Sequence, residues 1–267
     1  MWYINFDPAV FRIGAFELRW YSLIYILGFV IAYLWLRYIG NKKWIKEFDH
    51  KTAEDFLLYL MIGVIVGSRL FEFIFYMPSV LLSDPLEIFR IWHGGMSFHG
   101  GLIGTFIAVG IFCWKYKIKF WKILDAISIV AIGSLMLGRL GNLVNGELIG
   151  TKFNGAWCAV YVGYDSVCRH PYAVYAFISH LILVVWLGVL IYLNRDRLKT
   201  FFGSKWLSIN FLIGYGVLRI IVDFFKLDNM LWGIRTGQWL SIFMIIAGIA
   251  LIISHIFLKK AKKDRKT

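Results

Sequence analysis

The sequence predicts an all-α polytopic membrane protein with seven transmembrane helices, and three observations carry that prediction. Of the 267 residues, 60% are hydrophobic and only 17% charged, with a mean hydropathy of +0.68. Apolar runs recur that are long enough to cross about 30 Å of hydrocarbon. The loops between them alternate between rich and poor in Lys and Arg, as the positive-inside rule expects of a chain that crosses repeatedly.

The runs cover residues 20–38, 53–76, 97–114, 123–143, 171–193, 206–225 and 238–258. Basic residues number nineteen in the loops 37–51, 115–122 and 195–205 and the tail 259–267. The opposite set holds seven: Arg12, Arg19, Arg90, Lys152, Arg169, Lys226 and Arg235. This asymmetry puts the amino terminus outside and the carboxyl terminus in the cytoplasm. A single transmembrane domain over 1–267 is expected. Residues 77–96, with Pro78 and Pro85, form an extracytoplasmic segment lying along the interface. Residues 144–170 form an extracytoplasmic loop, and 259–267 a basic cytoplasmic tail. Residues 1–18 mix Asp7, Pro8, Arg12 and Glu17 with apolar residues, which is not the pattern of a cleavable signal.

A net charge of +13 does not imply nucleic acid here, because the basic residues collect in loops on one side rather than on a face with stacking aromatics. His, Cys and acidic residues do not recur at metal-ligand spacing, and the glycines do not form a nucleotide-phosphate loop, so neither metal nor cofactor is expected. Cys113 reads as core. Cys158 and Cys168 share the outer loop, where a disulfide is one possibility.

Three basic residues remain, Arg69, Arg139 and Arg219, and all lie inside spans. Each costs about 2.5–3.5 kcal/mol near a helix centre on insertion scales, so each needs a partner or a task. The orientation puts all three in the outer half of their spans, with Tyr21 and His99 at the outer ends of the first and third. Asp223 follows Arg219 by four residues, one helical turn on the same face. An ion pair that merely pins two helices is the alternative for any one of them.

The densest polar stretch is 138–150, Gly-Arg-Leu-Gly-Asn-Leu-Val-Asn-Gly-Glu-Leu-Ile-Gly, with Arg139, Asn142, Asn145 and Glu147 among four glycines. Guanidinium forks match phosphate oxygens, and low dielectric strengthens each contact, so the expected ligand is an anionic phosphate entering sideways from lipid. His93 and His99 flank a glycine-rich turn, and His99 is a candidate general base.

These residues resemble a known family. The 138–150 stretch, the 94–104 stretch Gly-Gly-Met-Ser-Phe-His-Gly-Gly-Leu-Ile-Gly, Arg19-Trp20-Tyr21, and Gly214-Tyr215-Gly216 with Arg219 and Phe224-Phe225 are similar in order and content to prolipoprotein diacylglyceryl transferases. The resemblance implies an enzyme of the plasma membrane, its active site on the extracytoplasmic side. It would move the diacylglyceryl group of phosphatidylglycerol to the lipobox cysteine of a lipoprotein precursor, without a cofactor. Carried over by position, it marks Tyr21, His99, Arg139, Asn142, Glu147, Gly150 and Arg219, with Arg139 and Arg219 on the phosphate and His99 near the thiol. Asn145, Asp223 and Arg69 join the expected lipid-binding set. The chain departs from the family pattern at Asp223, where Glu is usual, at Ser22, where Gly is usual, and at Tyr172 to Ala176, where Ser-Gln-Leu-Tyr-Glu is usual. Two other readings fit the residues: an outer-leaflet phospholipid transferase or lipase with a different acceptor, and a seven-span transporter or receptor. Polar residues gathered on one side, and a last span without lysine, disfavour the latter.

Overall fold

The computed structural model describes residues 1–13, 16–90, 95–228 and 230–264, and the side chains of these except Phe16, Phe98, His99, Leu231, Thr236 and residues 258–264. His93 lies outside the described residues. Helices dominate, and six of them are long and apolar enough to cross a membrane. They correspond to α1 (Trp20–Asn41), α2 (His50–Phe71, extended to Tyr76 by a wider turn), α5 (Phe120–Val144), α6 (Tyr172–Leu193), α8 (Trp206–Asp223) and α9 (Thr236–Asp264). α3 is the short helix Pro78–Ser83, α4 is Phe98–Tyr116 and α7 is Leu198–Phe201; α4 carries a shorter apolar stretch, Gly100–Tyr116. Apolar side chains such as Val185 and Ile246 stand exposed along these helices, the pattern of a surface solvated by lipid rather than water. The protein is a multi-pass membrane protein.

Strands modify the all-α expectation. β1 (Trp2–Ile4) pairs parallel with β4 (Ala159–Tyr161), β2 (Ala9–Ile13) pairs antiparallel with β3 (Phe16–Arg19), and β5 (Met230–Leu231) with β6 (Ile234–Arg235). All lie in loops whose low helical periodicity gave no signal. The expected basic tail at 259–267 continues α9 as helix through Asp264, and residues 265–267 lie outside the described residues.

The chain divides into two compact units, Tyr33–Ile123 and Met1–Ala32 with Leu124–Thr267. In the first, Asp49 caps α2 by accepting from the Thr52 backbone N–H at 2.8 Å. α2 and α4 then meet backbone to backbone through Gly63 and Gly67 on one helix and Gly100 and Gly104 on the other. A Cβ on Gly63 would come 2.6 Å from the Gly104 carbonyl oxygen, and one on Gly67 would run into the Gly100 carbonyl. This is the small-xxx-small contact by which helices associate in lipid. Gly100 and Gly101 fall inside the expected run 97–114, next to the glycine-rich turn between His93 and His99. They are helical, and His99 sits in the first turn of α4, whose N-cap Ser97 accepts from the Gly100 N–H. Gly67→Leu is expected to destabilise this unit by about 1–3 kcal/mol through overpacking, read as a lower unfolding midpoint in detergent. An unchanged midpoint would show that the helices can separate at no cost.

The same unit accounts for the 77–96 segment. Pro78 opens α3, Pro85 opens a single tighter turn, Pro85–Phe89, and Arg90 pairs with Asp84 and Glu87.

In the second unit α8 packs between α6 and α9. Gly214 receives Leu183 of α6, and Gly216 receives Ser241 and Ile245 of α9, so glycines on opposite faces let α8 approach both neighbours. At the far end of α5, Asp125 is fully buried and accepts from the backbone N–H groups of Gly203, Lys205 and Ser208 and from the Ser208 hydroxyl. One carboxylate thereby fixes the turn that starts α8.

Candidate functional site: two arginines in apolar helices

Arg139 lies in the last turns of α5, where the helix gives way to the loop. Its Nη1 donates to Asn142 Oδ1 at 3.2 Å. Asn142 Nδ2 donates to Glu147 Oε2 at 2.9 Å, and Asn145 Nδ2 to Glu147 Oε1 at 3.1 Å. A single carboxylate thus holds both amides, and the Asn142 carbonyl oxygen is turned to the guanidinium. The Leu143–Gly146 turn that brings Glu147 back relies on a positive φ of 65° at Gly146. Gly141 fits Tyr21: a Cβ there would come 2.7 Å from the Tyr21 ring. Tyr21 shares a hydrogen bond of 2.9 Å with Tyr25, whose hydroxyl feels the charges of both Arg139 and Glu147. Gly150 serves the loop itself, since a Cβ there would run into the His170 carbonyl.

Arg219 approaches from α8. Its Nε lies 3.0 Å from Asp223 Oδ2, an ion pair on one helix face, yet the contact leaves that oxygen without an aligned hydrogen bond. Asp223 is completely buried, and its other oxygen accepts from the Tyr172 hydroxyl at 2.5 Å. Arg219 also lies over the Tyr172 ring, 5.9 Å from its centroid. Gly237 makes room for the pair, because any side chain there would strike Asp223 Oδ2. Asp223 is one methylene shorter than the Glu of the family pattern, and a phenol at 172 reaches it.

The two arginines belong to one compact unit, where Arg219 lies over the Tyr172 ring and His180 of α6 stacks on Tyr215, one turn before Arg219. Arg139 Nε, Arg219 Nη1, Asp223 Oδ2, Asn145 Oδ1 and His180 Nδ1 are buried with no hydrogen-bond partner among the described residues. Buried polar atoms are rarely left so, and two of these are donors on cationic guanidiniums.

Arg69 stands in the other unit, and its donors are engaged there. Its guanidinium donates to the backbone carbonyls of Glu87, Ile88, Arg90 and Gly95. It caps the C-terminal end of the Pro85–Phe89 turn, where carbonyls point outward and a positive charge is favoured. The side chain of His99 lies outside the described residues, so only its backbone position in α4 is defined.

The loop behind the site is rigid. Cys158 and Cys168 form a disulfide with their Cα atoms 5.4 Å apart. The Arg169 guanidinium bonds the Gly150 carbonyl and holds the Asp165 carboxyl below its usual range. His170 stacks on Phe153 and shares a hydrogen bond with Tyr175, and burial holds its imidazole below the usual histidine range.

Sequence reasoning missed His180 and Tyr25, and named Tyr215 only within a motif. A lone histidine in the middle of an apolar run was the available signal. The imidazole lies parallel to the Tyr215 ring with centroids 5.5 Å apart.

The fold and the site define a mostly helical multi-pass membrane protein that carries two half-buried, partly unpartnered arginines in its apolar helices. Comparison with known proteins gives the family. Residues 8–254 match the model of the prolipoprotein diacylglyceryl transferases, and the chain belongs to that family. It is similar to the phosphatidylglycerol–prolipoprotein diacylglyceryl transferase of Methylobacillus flagellatus, at 37% identity over 93% of this chain and 96% of the relative. The enzymes of that name from Nitrosomonas europaea and Wolbachia pipientis are 39% and 38% identical, covering 93% and 95% of this chain and 89% and 96% of their own.

Proposed function

We propose that this chain transfers the diacylglyceryl group of phosphatidylglycerol to the lipobox cysteine of a lipoprotein precursor. The sulfur attacks the glyceryl carbon that carries the phosphate, a thioether forms, the C–O bond breaks and glycerol phosphate leaves; the thiol proton passes to a base. The observation that carries the reading is the pair Arg139 and Arg219, each with an unpartnered buried donor atom, in a member of this family. Such donors in low dielectric offset the charge that gathers on the phosphate as it departs.

In this reading Asn142, Asn145 and Glu147 hold Arg139 in place, Asp223 and Tyr172 hold Arg219, Tyr21 lines the lipid position and Gly150 keeps the loop seated. Arg69 organises the interfacial segment, and His99, at the start of α4, is the base for a thiol whose ordinary pKa of about 8.5 leaves it mostly protonated at neutral pH. Charge asymmetry supports seven spans, with α4 as the third, an amino terminus outside and a site facing the extracytoplasmic side of the plasma membrane.

The test is purified protein in phosphatidylglycerol vesicles with a lipobox peptide. A peptide mass gain of one diacylglyceryl group, matched by equimolar glycerol phosphate, is expected. Glycerol phosphate without peptide gain would move the acceptor elsewhere, and neither product from folded protein would refute the reaction.

A further inference from the structure

We propose that His180 selects the lipid headgroup: its Nδ1 accepts a hydrogen bond from a hydroxyl of the alcohol esterified to the phosphate that Arg139 and Arg219 hold. The proposal rests on the phosphodiester reading above and adds a residue to it. His180 is 3% exposed in the middle of α6. Its Nδ1 is buried with no partner among the described residues. An imidazole whose proton sits on Nε2 presents a lone pair at Nδ1. Stacking on Tyr215 fixes the plane in which that lone pair points.

Three kinds of group could come to the vacant Nδ1, and charge decides among them. A phosphate oxygen is itself an acceptor, so it faces the guanidiniums and not this lone pair. An ammonium headgroup would donate, but it would bring a third cation beside two arginines, and like charges in low dielectric repel strongly. A neutral hydroxyl donates without that penalty. The fit is therefore to a phosphodiester with a hydroxylated, uncharged headgroup such as glycerol.

The experiment compares phosphatidylglycerol with phosphatidylpropanol, a diester of equal charge whose headgroup lacks hydroxyls. Retention of each lipid by the detergent-purified full chain is read by native mass spectrometry in competition, with no peptide present. Wild type is expected to favour phosphatidylglycerol about tenfold, the worth of one buried hydrogen bond. His180→Phe, which preserves the stack on Tyr215, is expected to bring the ratio near one, and His180→Gln, whose amide oxygen accepts, to keep most of it. Equal retention by wild type, an undiminished ratio in His180→Phe, or equal loss in both variants at unchanged unfolding midpoints would overturn the assignment. Failure of peptide modification with an intact lipid preference would count against the transfer reaction and leave His180 in its role.

Discussion

Arg219→Lys is expected to lower diacylglyceryl transfer by about 100-fold or more while leaving the unfolding midpoint close to wild type. Removal of one preorganised donor from a charge-stabilising site commonly costs about 100- to 1,000-fold. Lysine keeps a positive charge beside the buried Asp223 but not the planar fork whose Nη1 is free for phosphate. The conservative change separates chemistry from folding, because Arg219→Ala would strand a fully buried carboxylate, which alone costs about 3–5 kcal/mol. Arg139 needs no such care. Its partner is the neutral Asn142, so Arg139→Ala is expected to abolish transfer to a similar degree with the fold intact. Peptide mass and released glycerol phosphate read both variants, and transfer above a tenth of wild type in either would remove that arginine from the phosphate.

Asp125→Ala is expected to produce the largest loss of stability. Three backbone N–H groups and the Ser208 hydroxyl would lose their acceptor in a buried turn, at a cost of about 3–5 kcal/mol, the range for breaking a buried charged network. The unfolding midpoint in detergent should fall on the order of 10 °C. Activity per folded molecule should not change, since Asp125 lies at the opposite end of α5 from Arg139. A small shift in midpoint would mean that water reaches these N–H groups in the native protein.

The helices were legible because apolar length is a strong signal, and the seven runs differ from the observed helices by only a few residues at most ends. The strands were not, because they run to only two to five residues; two pairs are short hairpins, and the third joins Trp2 to Ala159, far along the chain. At the site, charge in an apolar run exposed Arg139 and Arg219. It also drew in Arg69, whose four carbonyl partners come from a segment the helical pattern could not orient. The glycines near His99 were read as a turn, and their packing role was missed: a four-residue spacing of glycines on α2 matches another on α4. His180 escaped notice because one neutral ring barely alters the hydropathy of its span.

The contact between Tyr172 and Asp223 has an evolutionary consequence. In the family pattern these positions hold a small hydroxyl and a longer carboxylate; here a phenol on α6 meets a shorter acid on α8. A chain restoring Glu at 223 alone would crowd the buried ring, and one restoring Ser at 172 alone would leave a void and remove one of the two partners of the acid. The two side chains are therefore coupled, and a substitution at one changes what the other position accommodates.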